Sequence, residues 1–196
     1  AAGVTAADAW LRLRAADAPP AVLAIAPYPS ELVERWSGGG ESFVIRPIRP
    51  EDAEQHGAFF LRLPAMDVRY RFFSTMRELS PEQTARLTQV DYDREMAFIA
   101  VREATGETVG VARLVREQDG RSGEFAVIVQ PDVKGRGLAS HLVQRLIDWG
   151  RQRGMAEMAG QMLAENAPML AFARHLGFRL RRMPEEPGVI EARLSL

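Results

Sequence analysis

Four stretches of the chain concentrate apolar residues over strand-length runs: Phe43–Arg49, Met96–Val101, Thr108–Val115 and Glu124–Gln130. The last three are joined by short links, Ala104-Thr105-Gly106-Glu107 and a polar loop with Gly120 and Gly123, which predicts an antiparallel meander. From Gly137 the period changes. Leu138, Leu142, Val143, Leu146 and Ile147 recur at helical spacing until Gly154 closes the run. A strand over Met155–Leu163 follows, then a helix opened by Asn166-Ala167-Pro168 and ended at Gly177, then a terminal hairpin from Phe178–Met183 and Val189–Leu194. Between the first two strands, Pro50-Glu51-Asp52 starts one helix and roughly Met66–Thr75 forms a second. Ser80-Pro81-Glu82-Gln83 caps a third with the spacing of a capping box.

Residues 1–42 break this pattern. They hold an alanine-rich helical-looking run to Ala16, an apolar run with prolines over Pro19–Pro29, and the segment Ser30–Trp36 before Ser37-Gly38-Gly39-Gly40. The glycines predict a flexible joint, dividing an N-terminal extension (1–42) from a domain (43–196).

Composition narrows the chemistry. Lys+Arg 25 against Asp+Glu 26 leaves no basic field, which argues against nucleic acid as a partner. With no cysteine there is no disulfide, thiolate metal site or cysteine nucleophile, and a reducing cytoplasm is the simplest setting. The apolar runs are strand-sized and the alanine-rich start carries Asp8, Arg12, Arg14 and Asp17, so no membrane span or signal peptide is expected. His56, His141 and His175 lack metal-ligand spacing, and no metal is expected. There is no Gly-x-Ser-x-Gly elbow for a hydrolase.

The segment most suggestive of a ligand runs Val127-Ile128-Val129-Gln130-Pro131-Asp132-Val133-Lys134-Gly135-Arg136-Gly137-Leu138-Ala139-Ser140. A strand that enters a helix through a glycine-rich turn leaves free N–H groups at the positive end of the helix dipole, which suits a diphosphate. Gly135 and Gly137 permit close approach, and Lys134 and Arg136 add charge. A P-loop would need Lys-Ser/Thr after the second glycine, and a Rossmann fingerprint would need glycine or alanine where Ser140 stands. The same turn would also serve as plain strand-to-helix geometry.

Lys134-Gly135-Arg136-Gly137-Leu138-Ala139 resembles the pyrophosphate loop of GNAT N-acetyltransferases. Asn166-x-x-Met169-x-x-x-Ala173-x-x-Leu176-Gly177-Phe178 is similar to that family's later segment. The resemblance covers Phe43 to about Leu196. Asp91–Phe98 and Glu124-Phe125-Ala126-Val127 resemble, more narrowly, bacterial Pat-type protein lysine acetyltransferases. Ala24–Leu32 resembles the end of an ADP-forming acyl-CoA synthetase-like region, which leaves open that the chain is a piece of a longer protein.

The resemblance implies an α+β GNAT fold: a mostly antiparallel central sheet flanked by helices, with splayed strands making the acetyl-CoA cleft. It implies that backbone groups of Ile128, Val129 and Gln130 pair with the pantetheine arm. N–H groups from Val133 through Ser140 (Val133, Lys134, Gly135, Arg136, Gly137, Leu138, Ala139, Ser140) would hold the diphosphate. Asn166 would approach the arm, although a helix N-cap explains it equally well. Glu124 matches the glutamate base, which direct transfer needs because a free lysine titrates near ~10.4; alone it would read as an exposed strand-edge residue. Asp91, Asp93 and Glu95 are acidic reserves. Ala173 stands where many relatives carry a tyrosine acid, so the thiolate is expected to leave unprotonated or to take a proton from water. Tyr70-Arg71-Phe72-Phe73, with Met66 and Met76, reads as helix core that in this fold borders the acceptor groove. The implied activity is acetyl transfer to a protein lysine, with an AMP-forming acyl-CoA synthetase as the implied partner. A small-amine acetyltransferase and a non-catalytic acyl-CoA sensor are the alternatives.

Overall fold

The computed structural model describes residues 26–196. The alanine-rich run to Ala16 and the start of the Pro19–Pro29 run lie outside the described residues. One eight-stranded sheet organises the chain in the order β1-β2-β3-β4-β5-β6-β8-β7. Its strands are β1 (Glu34–Gly38), β2 (Glu41–Pro47), β3 (Glu95–Arg102), β4 (Thr108–Arg116), β5 (Ser122–Val129), β6 (Glu157–Leu163), β7 (Arg179–Arg182) and β8 (Val189–Ser195). Every adjacent pair is antiparallel except β5 and β6. The fold is α+β, as expected from the resemblance.

Among the described residues, five α-helices cover the two faces: α1 (Ala53–Leu61), α2 (Ala65–Phe72), α3 (Pro81–Thr88), α4 (Leu138–Gln152) and α5 (Ala167–His175). Alternation along the strands sorts the core. On β3, Met96, Phe98 and Ala100 point into a cluster with Leu138, Leu142, Leu146 and Trp149 of α4 and with Ala173 of α5. Ala97 and Ile99 point the other way, to Phe59, Phe60 and Val68 of α1 and α2. The capping box is present, with the Gln83 N–H donating to Ser80 Oγ at 3.2 Å and the Ser80 N–H to Gln83 Oε1 at 2.8 Å.

One expectation needs correction. Ser37–Gly40 is not a joint between units: Glu34–Gly38 pairs in register with Glu41–Ile45, and Gly39-Gly40 (φ 62° and 82°) form the tight turn between them. Two consecutive left-handed residues are what a two-residue hairpin demands, and glycine supplies them without strain. The sheet therefore begins at Glu34, ahead of the expected start at Phe43. Trp36 stacks on His141 of α4 at 5.4 Å between ring centroids. Glu34 accepts from His141 Nε2 at 2.6 Å and pairs with Arg145 at 2.5 Å. Burial opposes ionisation of the Glu34 carboxyl, but the bonds from His141 and Arg145 hold it below its ordinary range. The edge strand is thereby clasped to the helix that carries the glycine-rich turn.

Candidate active site

The chemistry-bearing residues converge where β5 and β6 part. The two strands pair in parallel only at Ser122↔Glu157, Gly123↔Met158 and Glu124↔Ala159. Beyond Glu124, β5 remains bonded to β4 on its far side, but its near edge has no strand partner. Such an edge offers N–H and C=O groups to any extended chain laid along it. A cavity of about 550 Å³ fills the opening, between β5, β6, the 133–140 turn, α2 and α5. That volume suits a cofactor-sized ligand.

At the wide end, Gly135 (φ 74°) and Gly137 (φ 87°) shape the turn into α4. A Cβ placed on Gly135 would meet no atom within 4 Å, so the glycine leaves open space. Gly137 caps α4 without a side-chain hydrogen bond, and the first N–H bonded to the cap is that of His141, at 3.0 Å from the Gly137 oxygen. The N–H groups ahead of it have no helical acceptor, and the helix dipole makes their surroundings positive. An anion fits here without any particular side chain.

Ten of the thirteen expected site residues line this one cavity: Glu124, Ile128, Val129, Val133, Lys134, Gly135, Gly137, Ala139, Ser140 and Asn166. Three side chains lie elsewhere. Gln130 is buried outside it, its N–H donating to Val109 O at 2.8 Å and its Nε2 to Phe59 O at 2.9 Å, so the expected pantetheine pairing is not open to its N–H. Arg136 turns back over Gly39 to pair with Glu41, and Leu138 is core. These two can offer the site only backbone. Asn166 lines the cavity and also caps α5, its Oδ1 accepting from the Met169 N–H at 3.2 Å, so both of its readings hold at once.

Glu124 is exposed to the cavity at the narrow end, the last residue of β5 still paired to β6. The acidic reserves are committed elsewhere: Glu95 pairs with Arg113 and Asp93 with Arg153, while Asp91 Oδ1 accepts from the Asp93 N–H. None of the three lines the cavity.

Helix α2 roofs the cleft and contributes Asp67, Tyr70 and Arg71, with Phe73 just beyond it. Ion pairs fasten it on both sides, Lys134 to Asp67 at 2.6 Å and Arg69 to Glu165. Phe73 ends the helix in a left-handed conformation (φ 56°), an uncommon one for a bulky residue. Arg71 also reaches a small buried pocket beneath the cavity, lined by His56, Phe59 and Arg113 among others. Burial and then the Arg113 charge push His56 down to about 4, so its imidazole is neutral at neutral pH. Burial likewise depresses the Arg71 guanidinium, and the Glu124 charge partly restores it. The Tyr70–Phe73 run offered a sequence signal for this wall, but only the fold brings Tyr70 and Arg71 into one cavity with Glu124. Among the described residues no group of three or more His, Cys, Asp or Glu could hold a metal ion, and no helix is long and apolar enough to cross a membrane.

Comparison with known proteins settles the family. The Acetyltransferase (GNAT) family matches residues 64–178, more than half of the 196-residue chain. The chain belongs to the GNAT family. An acetyltransferase of Pseudomonas aeruginosa is 33% identical over 159 residues, 80% of this chain and 86% of that protein. Acetyltransferase Pat of Mycolicibacterium smegmatis is 30% identical over 142 residues, 70% of this chain but 41% of that longer protein. Among solved structures, the GNAT domain of S. lividans PAT matches with a TM-score of 0.80 at 27% identity, over 86% of this chain and 99% of that one. This GNAT protein is accordingly an acetyl-CoA-dependent acetyltransferase. Its splayed β5–β6 pair and glycine-rich turn fit the cosubstrate on their own geometry, through the open space at Gly135 and the unpaired edge of β5.

Proposed function

We propose that this GNAT domain transfers acetyl from acetyl-CoA to the side-chain amine of a protein lysine, with Glu124 as general base. The observation that carries the reading is the position of Glu124: it shares one cavity with the Val133–Ser140 turn and stands where the parallel pairing of β5 and β6 ends. In this arrangement the turn's N–H groups hold the diphosphate, and the free edge of Ile128 and Val129 carries the pantetheine arm. Strand β5 rises about 3.3 Å per residue, so the reacting thioester is delivered toward its start. Asn166 borders the arm.

The acceptor arrives as an ammonium and must lose a proton to react. Glu124 takes it, directly or through a water. The amine lone pair forms the N–C bond, the C–S bond breaks, and the thiolate leaves; with Ala173 buried in the core, no group at that position protonates it. A thiol of pKa near ~8.5 is a competent leaving group without an acid. The relation to the two Pat proteins supports a protein acceptor, with a cytoplasmic acyl-CoA synthetase as the candidate, residues 1–33, ahead of the first strand, as an extension or tail of a preceding region, and post-translational regulation as the role. A small amine is the second reading, supported by a 33% identical relative over 93 residues named an L-methionine sulfoximine/L-methionine sulfone acetyltransferase. An acyl-CoA sensor without turnover is the third.

An acceptor panel tests the first reading. Acetylation of a lysine in purified acyl-CoA synthetase, lost in Glu124→Gln with acetyl-CoA binding retained, is the expected result. Efficient consumption of small amines with no acetylated protein would overturn the protein acceptor, and absence of any turnover would favour the sensor.

A further inference from the structure

Among the described residues, the cations around the cleft are paired, with one exception. Lys134 meets Asp67, Arg69 meets Glu165, Arg136 meets Glu41 and Arg113 meets Glu95. None of the ion pairs or hydrogen bonds formed among the described residues uses the guanidinium of Arg71. It lies 4.8 Å from the Phe72 ring centroid, half-buried on the inner side of α2, and lines the cavity together with Glu124 and Tyr70. Burial lowers its basicity, and the charge that restores part of it is Glu124. A guanidinium withdrawn from water without a carboxylate partner is costly to fold, and its planar fork is shaped to take one. The turn that ends α2 just beyond it is held in a left-handed conformation at Phe73, the kind of strain found where a ligand-binding element must be fixed.

The cavity wall thus presents both Arg71 and Glu124, a positive charge within electrostatic reach of the carboxylate that receives the amine. An acceptor that places a second cation there is repelled, whereas one with an acid group beside its amine meets both charges in complementary order. We propose that Arg71 is the docking point for a carboxylate carried by the acceptor next to its reactive amine, so that the substrates of this site are acid-flanked amines rather than polycations. The inference rests on the reading of this cavity as the acceptor end of the acetyl-transfer site. The carboxylate has two sources with one chemistry: an acidic side chain adjoining the modified lysine in a protein, or the acceptor's own carboxyl group in a free amino acid.

Binding separates the sources and needs no turnover. The CoA-loaded chain is titrated calorimetrically with two matched pairs: N-acetyl-lysyl-glutamate amide against N-acetyl-lysyl-glutamine amide, and lysine against lysinamide. In at least one pair the acidic member is expected to bind about tenfold tighter or better. Arg71→Gln is expected to abolish that preference while leaving acetyl-CoA affinity unchanged. Arg71→Lys, which keeps charge and bulk but loses the fork, is expected to reduce the preference at least threefold, and it serves if the glutamine variant does not fold. Equal binding within both pairs, no binding of either acidic member at millimolar concentration, or a preference that survives both substitutions overturns the proposal. An Arg71-dependent preference without acetylation of any lysine would leave this inference standing and sink the lysine reading; acetylation without a preference would do the reverse.

Discussion

The two ends of the cleft are built on different principles. The wide end is made of one continuous segment, β5 through the turn into α4, and it offers backbone: N–H groups, left-handed glycines and a helix dipole. The narrow end is made of side chains from segments far apart in sequence, Tyr70, Arg71 and Phe73 from α2 and its end, and Glu124 from β5. A backbone site tolerates unusual side chains, as with Lys134, whereas a side-chain site fails or changes specificity with a single substitution.

The sharpest break between the two ends is the Gly135→Asp/Gly137→Asp double variant. Both positions are left-handed, so each substitution costs about 1–2 kcal/mol of strain in the bound shape. The new carboxylates also face a diphosphate. Loss of acetyl-CoA affinity on the order of 100-fold or more is expected by calorimetry, with the circular dichroism spectrum retained. Unchanged affinity would mean that the turn is only a connection.

Glu124→Gln is expected to break the opposite end alone. Turnover should fall about 10²–10⁴-fold while acetyl-CoA affinity stays within twofold, because the substitution removes a proton acceptor and little volume. Steady-state kinetics above neutral pH refine the result: if the residue acts as base, the deficit should shrink as the acceptor amine deprotonates by itself. A pH-independent deficit would assign Glu124 to positioning.

The same contrast governs what could be read from the chain. The wide end was legible because glycine spacing, strand-to-helix period change and N-terminal dipole are local, and all lie within Val127–Ser140. The capping box at Ser80 and the terminal hairpin were legible for the same reason. β1 was not. Gly38-Gly39-Gly40 dominates the local reading as a linker, and only the pairing of Trp36 with Phe43 and its stacking on His141 show that the glycines turn a hairpin. Gln130 misled because its place after an apolar strand resembles an open edge, yet its amide is spent on Val109 and Phe59. Arg71 reads locally as one member of an aromatic core helix, since its lack of an ion-pair partner among the described residues is a property of the fold and not of its neighbours in sequence.

Beneath the acceptor wall, His56 gives a stability prediction. Its pKa falls from 6.5 to about 4 in the folded chain, so the unfolded chain takes up this proton first as pH drops. Stability should therefore decline as pH falls from about 6.5 and level off below about 4, a loss of up to about 3 kcal/mol from this group. Urea melts of His56→Leu should show a flatter profile across that window. An identical slope in the variant would place the acid sensitivity in other groups.

The smallest effect concerns the link between the ends. Asp67 on α2 holds Lys134 of the turn at 2.6 Å, which puts a carboxylate close to where the diphosphate charge must settle. Asp67→Asn releases the Lys134 ammonium to the cosubstrate and removes a repelling charge. Because Lys134 is half-exposed, the gain is that of a screened surface pair, a roughly two- to fivefold tighter acetyl-CoA dissociation constant at low salt. The difference should fade near 1 M salt, where charges are screened beyond about 3 Å. Weaker binding in the variant would show the reverse order of importance: the pair would then act mainly by holding α2 against the turn, and acceptor affinity should fall with it.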